Sequence, residues 1–149
     1  MSFKLRTAIG VGAVGLAAVI GTTPALALDG HVYNREITPG HTDAGASAAA
    51  DLKFGSTTHV TYTNFTVNDI CPGDGYRVFG RAAAVLSDGS TIYGAKHYDE
   101  GGCDSAAWKS TDPLYLDTSK RIVKAGIQAC VDLGSTNACA TPTYRDNPH

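Results

Sequence analysis

The chain has 149 residues, with 12 Lys and Arg against 14 Asp and Glu, and a formal net charge of −2 at pH 7. It contains no run of basic residues, which makes nucleic acid and anionic membrane surfaces poor partners, because both bind clustered Lys and Arg. The length suits a single domain.

The first 27 residues have the pattern of a signal peptide. Lys4 and Arg6 form a short positive region, an uncharged apolar run covers residues 8–21, and Ala25-Leu26-Ala27 gives the small-x-small pattern of a cleavage site. The apolar run is shorter than a membrane-spanning helix, which disfavours the alternative of an uncleaved membrane anchor, and cleavage leaves no membrane span. We therefore predict a secreted, extracellular protein whose cysteines belong to an oxidising compartment.

Residues 28–46 are polar and rich in small side chains, and they predict a flexible arm. A single β domain is expected over 47–149. Its first segment, 48–54, suits either a short alanine-rich helix or an edge strand. The strand is favoured because the remainder of the chain has the composition of β-structure.

Two strands and a hairpin are predicted next. Residues 59–67 are dense in β-branched and aromatic side chains, as strands are. Residues 76–86 and 91–98 flank Asp88-Gly89, the dipeptide typical of a two-residue type I′ hairpin. That turn would place Val85 opposite Ile92 and Ala84 opposite Tyr93.

The segment 121–132 alternates apolar and polar residues and predicts a strand with one buried and one wet face. Gly126, Gln128 and Cys130 are assigned to the wet face. Gly134-Ser135 suits a type II′ turn, which would place Cys130 directly opposite Cys139. Strands with regular turn signals predict an all-β fold, a small antiparallel β-sandwich or barrel.

The four cysteines allow three pairings. Directly opposed strand residues lie within disulfide range, so the predicted turn favours Cys130–Cys139. By elimination, Cys71 pairs with Cys103. No cysteine and histidine spacing matches a zinc site.

Acidic residues flank Cys71 and Cys103. The set consists of Asp69, Asp74, Asp99, Glu100 and Asp104. Carboxylates in loops are the ligands that Ca²⁺ prefers, so this set is a candidate calcium site. The same carboxylates are the candidate acid pair of a small secreted hydrolase. Solvated turns, in which Asp is frequent, are the structural alternative.

Aromatic residues form the second candidate site. Tyr93, Tyr98, Trp108 and Tyr115 are close in sequence and are the side chains with which a carbohydrate-binding module would stack on a sugar. The alternative is that Trp108 and Tyr93 pack under a loop. No histidine or serine lies in a recognised catalytic motif.

The leader, Asp74-Gly75-Tyr76, the strand 127–132 with Cys139, and the tail 145–149 resemble the small secreted, disulfide-bonded β-sandwich proteins of actinomycetes. The resemblance implies a bacterial extracellular protein and no functional residue. The two-disulfide α-amylase inhibitors are similar in class, but Ala107-Trp108-Lys109 stands where their Trp-Arg-Tyr loop would be.

The sequence thus favours a non-enzymatic secreted β-sandwich that presents loops at the Cys71–Cys103 end to an extracellular protein or cell-envelope partner. A polysaccharide-binding module that uses the aromatic residues is the first alternative. A hydrolase with paired carboxylates is the second.

Overall fold

The computed structural model describes residues 29–103 and 105–149, so the predicted signal peptide over 1–27 lies outside the described residues. The described part of the chain is all-β, with two antiparallel sheets packed face to face, which confirms the predicted sandwich. Within these residues, no helix has the length and apolar character needed to cross a membrane.

The sheets are named A and B here. The strands are β1 (Gly30–Ile37), β2 (Gly45–Phe54), β3 (His59–Ile70), β4 (Arg77–Leu86), β5 (Thr91–Tyr93), β6 (His97–Asp99), β7 (Trp108–Lys109), β8 (Leu114–Asp117), β9 (Ile122–Asp132), β10 (Asn137–Cys139) and β11 (Thr143–Asp146). Sheet A has the order β1-β2-β3, and β7 and β8 both pair with the far side of β3. Sheet B has β9 and β4 at its centre, with β10 and β11 beside β9 and with β5 and β6 beside β4.

The segment expected to be a flexible arm, 28–46, instead contains β1 and the start of β2. Strand β1 pairs with β2 along its whole length, from Gly30 opposite Leu52 to Ile37 opposite Gly45. Its polar side chains had suggested an arm, but most of them lie on the exposed face, while Val32 and Asn34 are buried. Strand β2 consequently lies inside sheet A and is not an edge strand.

The hairpin between β4 and β5 differs from the prediction by one residue. Ala84 lies opposite Ile92 and Ala83 opposite Tyr93. The connection has three residues, because Leu86 pairs with Ser90 and the backbone N–H of Gly89 donates to the carbonyl of Leu86. With Gly89 at φ 82°, this is a type I turn followed by a left-handed glycine and not a type I′ turn.

The predicted turn after β9 is confirmed. The Leu133 N–H donates to the Thr136 carbonyl, and Gly134 has φ 86°, as a type II′ turn requires. Cys130 lies opposite Cys139 with a Cα–Cα distance of 4.1 Å, and the two form a disulfide. Cys71 and Cys103 form the other, with a Cα–Cα distance of 5.0 Å.

The predicted wet face of β9 is wrong for its central residues. Gly126, Gln128 and Cys130 are all buried. The chain after β10 continues along the same edge of β9 as β11, and the absence of a side chain at Gly126 lets the two strands approach closely, since a Cβ there would lie 1.8 Å from the Thr143 carbonyl oxygen. A one-strand pattern cannot show that residues from neighbouring strands bury its polar positions.

The core lies between the two sheets and relies on small side chains at their closest approach. A Cβ at Gly80 would lie 2.8 Å from Val67 Cγ2 and 3.1 Å from Ala48 Cβ. Larger apolar side chains fill the space on either side of this contact, with Tyr62, Phe65, Leu52, Ile122 and Ile127 the largest of those that are fully buried.

Candidate ligand-binding face

The register of sheet B collects cations and aromatic rings on its outer face. Directly opposed residues in antiparallel strands point to the same side of the sheet. Phe79 is opposite Tyr98, and Ala83 is opposite Tyr93. The residues that we call the sheet B face are Arg77, Phe79, Arg81, Tyr93, Lys96, Tyr98, Lys124 and Tyr144.

Arg81 lies at the centre of the sheet B face and is held from two sides. Its Cζ lies 3.7 Å from the ring centroid of Tyr93, and its Nε donates to Gln128 Oε1 at 2.9 Å. Gln128 is itself fixed, because its Nε2 donates to the Ala140 carbonyl at 2.8 Å. The guanidinium is therefore oriented before any ligand arrives, which reduces the entropy lost on binding.

Among the described residues, Arg81 makes no ion pair with a carboxylate. Arg81 is only partly exposed, so its guanidinium charge is partly desolvated. The electron-rich face of the Tyr93 ring provides most of the balance for this charge. An arginine whose Nε is occupied and whose two Nη groups have no acidic partner suits a planar anion such as a carboxylate, which accepts two parallel hydrogen bonds.

The other rings of the sheet B face also have a cation beside them. Arg77 Cζ lies 4.2 Å from the centroid of Tyr98, and Lys96 Nζ lies 4.3 Å from that of Phe79. Tyr98 is fixed by donating to Asp132 Oδ2 at 3.2 Å. These contacts are each worth about 0.5–1 kcal/mol at exposed sites, enough to order long side chains that would otherwise be mobile.

Tyr144 and Lys124 mark the end of the face near β11. Lys124 Nζ lies 4.8 Å from the centroid of Tyr144. Partial burial raises the pKa of Tyr144, and the neighbouring Tyr93 raises it further. The Tyr144 phenol therefore stays neutral at physiological pH and serves as a hydrogen-bond donor.

A shallow depression opens at the other end of the face, next to Arg77. It has a volume of about 390 Å³ and is lined by Gly75, Tyr76, Arg77, Asp132, Leu133 and Gly134. Arg77 is shared between the depression and the face and forms an exposed ion pair with Glu100. The depression therefore extends the sheet B face toward the turn between β9 and β10.

The structure divides the aromatic residues predicted as one site. Tyr93, 42% exposed, and Tyr98 lie on the sheet B face. Trp108 is half-buried at the edge of the sandwich, 4.7 Å from the His97 ring and 6.3 Å from that of Phe65. Tyr115 lies on the outer face of sheet A. A shared sugar-stacking surface of all four is therefore absent, and Trp108 closes the sandwich edge.

The structure brings together only some of the carboxylates predicted as an acidic site. Asp69 is 7% exposed and Asp99 is 4% exposed, and the Asp69 N–H donates to Asp99 Oδ2 at 3.1 Å. Burial, followed by the nearby carboxylates of Asp74 and Asp99, raises the pKa of Asp69 to about 6. Asp69 Oδ1 is buried without a hydrogen-bond partner in the described structure. Glu100 instead pairs with Arg77, and Asp104 lies outside the described residues.

These carboxylates do not form a metal centre in the part of the chain that the structure describes. Over 29–103 and 105–149, no three His, Cys, Asp or Glu side chains are arranged to hold a metal ion. Asp74 instead accepts hydrogen bonds from the Tyr76 N–H in its own loop and from the hydroxyl of Thr38, which follows β1. The predicted set also includes Asp104, which lies outside these residues, so the calcium site stays a prediction.

Sequence reasoning missed the four cations of the sheet B face because it looked for a continuous basic run. Arg77 and Arg81 lie two alternations apart on β4, and Lys96 and Lys124 come from other parts of the chain. The pattern Arg-x-Phe-x-Arg within a predicted strand was the available signal, since alternate residues share a face.

No protein-family model matches the chain, and comparison with curated proteins and with solved structures gives no match.

Proposed function

We propose that this chain is a secreted binding protein that holds an acidic polysaccharide of the cell envelope on the sheet B face. The observation that supports this is Arg81, a pre-oriented guanidinium without an acidic partner among the described residues, at the centre of a row of cations and tyrosines. The two disulfides are compatible with an extracellular location.

The chemistry of the face favours an acidic polymer over a neutral glycan. Neutral sugars bind by stacking on free aromatic rings, and here Phe79 is fully buried while Tyr93 and Tyr98 each have a cation within contact distance. A carboxylate-bearing sugar can meet Arg81 through its two Nη groups while its ring lies against a half-exposed tyrosine. The partner predicted from the sequence is thus retained as an envelope polymer, but its contact region moves from the Cys71–Cys103 loops to the sheet.

The face is long enough for several charges of one polymer. Arg77 and Arg81 are four residues apart on β4, which corresponds to about 13 Å along an extended strand. Lys124 lies farther along the same face, opposite Val85. Spaced cations of this kind bind a repeating acidic chain better than a single small anion, because successive contacts are made without a new loss of translational entropy.

Titration calorimetry with the oxidised chain tests the proposal. The ligands are polygalacturonate as the acidic polymer, dextran as the neutral polymer and poly-glutamate as an acidic peptide, each at low and high salt. We expect polygalacturonate to bind with an affinity that falls as salt rises. Dextran binding of equal strength, or binding of poly-glutamate alone, would contradict the proposal.

Two arginine variants locate the site. Arg81→Gln keeps a polar side chain but removes the charge and the paired donors, and should weaken polygalacturonate binding about tenfold to a hundredfold, the range for a charged hydrogen bond of about 1.5–3 kcal/mol. Arg35→Gln is the matched control, because Arg35 is an exposed arginine of β1 on the other sheet. Equal affinity for both variants and the parent chain would show that the sheet B face is not the site.

A further inference from the structure

The outer face of sheet A, on the opposite side of the sandwich, holds a chain of three hydrogen-bonding side chains. Asp117 Oδ1 lies 2.6 Å from His59 Nδ1, and His59 Nε2 lies 3.1 Å from Thr61 Oγ1. With the Nδ1–H donating to the carboxylate, Nε2 accepts the hydrogen bond of the Thr61 hydroxyl. A hydroxyl, a base within 2.6–3.2 Å and a third group orienting that base are the elements of an activated nucleophile.

The sheet fixes this arrangement. His59 and Asp117 are directly opposed on β3 and β8, and Thr61 lies two residues after His59, on the same face. The imidazole occupies space left by Gly55, where a Cβ would lie 2.7 Å from His59 Cδ2. Tyr115 stacks on the other part of the ring, with centroids 5.7 Å apart. The base is thus held by backbone register and by two packing contacts.

We propose that Asp117, His59 and Thr61 form an acyl-transfer site for small acyl esters, with Thr61 as the nucleophile. This activity goes beyond the binding function proposed above and uses none of its residues. Asp117 and Thr61, at hydrogen-bond distance from the two ring nitrogens, hold the His59 base in one orientation. A short sequence motif marks many catalytic serines, but none marks a threonine on a strand.

The step proceeds as an addition followed by an elimination. The Thr61 Oγ attacks the ester carbonyl carbon, and its proton passes to His59 Nε2 while Asp117 stabilises the imidazolium. The ester C–O bond then breaks, and the alkoxide leaves as an alcohol with the proton from His59. Water, deprotonated by His59, attacks the acyl-threonine, releasing the carboxylic acid and returning the proton to the Thr61 oxygen.

Two outward-facing neighbours of Thr61 carry polar hydrogen atoms. Thr61 is opposite Lys53 on β2 and opposite Tyr115 on β8, and all three side chains face outward. Lys53 is exposed and makes no ion pair with any residue from 29 to 103 or from 105 to 149. An ammonium on one side and a phenol on the other can stabilise a developing oxyanion. The His59 and Asp117 side chains are open to water, so modest turnover is expected, and a small ester is the simplest substrate for this face.

Acylation by p-nitrophenyl acetate tests the proposal on the full oxidised chain. With enzyme in excess, we expect a single acetyl group to be added and peptide mass spectrometry to locate it on Thr61. Thr61→Val should lose this label, and Thr61→Ser should restore it. Circular dichroism of each variant shows whether the fold is retained.

The matched variants separate chemistry from surface reactivity. His59→Gln keeps a hydrogen-bond acceptor but cannot take the proton, so acylation should slow about a hundredfold or more, the contribution of a general base. Thr63→Val, at the next outward-facing position of β3, should acylate at the parental rate. A label found on Lys53 or His59 alone, or an unlabelled Thr61 in the folded chain, would overturn the proposal.

Discussion

Asn34 Oδ1 accepts a hydrogen bond of 2.8 Å from the backbone N–H of Ala129, joining β1 of one sheet to β9 of the other. The Asn34 amide also donates to the Thr141 carbonyl at 2.8 Å and to the Thr143 hydroxyl at 3.0 Å. Among the described residues, strand β9 has no strand partner on this edge between the end of β10 and the start of β11, and the hydrogen bonds of Asn34 lie at this interruption. A single buried amide therefore closes one side of the sandwich.

Replacing Asn34 should cost more than an ordinary surface substitution. Asn34→Ala leaves the Ala129 N–H and the Thr141 carbonyl without this partner inside the protein, and an unsatisfied buried polar group costs about 1–3 kcal/mol. We expect the free energy of unfolding in urea to fall by about 3 kcal/mol. Asn137→Ala, at an exposed position of β10, is the control. A loss no larger than that of the control would show that Asn34 does not hold the sheets together.

Asp69 should make the stability of the chain depend on pH. Its pKa is raised from 3.8 to about 6 in the folded protein, by burial first and by the neighbouring carboxylates second. The folded state thus binds this proton more tightly than the unfolded state, so the stabilisation is complete below pH 4 and is lost as pH rises through 6. A shift of about two pKa units corresponds to about 3 kcal/mol.

Asp69→Asn removes that ionisation. We expect the variant to exceed the parent chain in stability at pH 7 and to lose this advantage progressively as the pH falls from 6 to 4. Urea unfolding at pH 4, 5, 6 and 7 measures the difference between the two chains, which cancels the titration of the other carboxyls. A constant difference across this range would contradict the assignment.

Gly80 lies at a close contact between the sheets, and adding a methyl group there should destabilise the fold. Gly80→Ala places a carbon 2.8 Å from Val67 Cγ2, and overpacking of this kind costs about 1–3 kcal/mol. Val67→Ala in the same chain should recover part of the loss by removing that contact. Gly73→Ala is the control, because its nearest neighbour would be Cys103 Sγ at 3.5 Å. Independent, additive effects at 80 and 67 would argue against the contact.

Gly89 should tolerate asparagine better than β-branched residues. Its φ of 82° lies in the left-handed region, where an L-residue pays roughly 1–2 kcal/mol and asparagine is the most readily accepted. Gly89→Val is expected to lower thermal stability, and Gly89→Asn to lower it less. Nothing lies within 4 Å of a Cβ at this position, so crowding does not enter the comparison. Equal losses would indicate that backbone conformation is not the cause.

The sequence by itself determined the features that depend on neighbouring residues. Alternation over 121–132 predicted β9, and the two-residue connection at Gly134 fixed Cys130 opposite Cys139, because turn length sets the register of a hairpin. The predicted register was wrong by one residue at Asp88-Gly89, because two types of hairpin turn share this sequence signature. The prediction was also wrong for 30–37, whose polar side chains suggested a flexible arm, because these residues form a strand that pairs with β2.

Only the tertiary structure decided which distant residues meet. Arg81 and Tyr93 are neighbours because β4 and β5 pair in one register, and His59 meets Asp117 because β8 pairs with β3. Those registers are set by packing of the inner faces, since a shift of one residue would turn every buried side chain outward. The outer faces, with their cations and their hydrogen-bonded histidine, follow from that choice. No local pattern in the sequence encodes this information, so both candidate sites emerge only from the folded sheets.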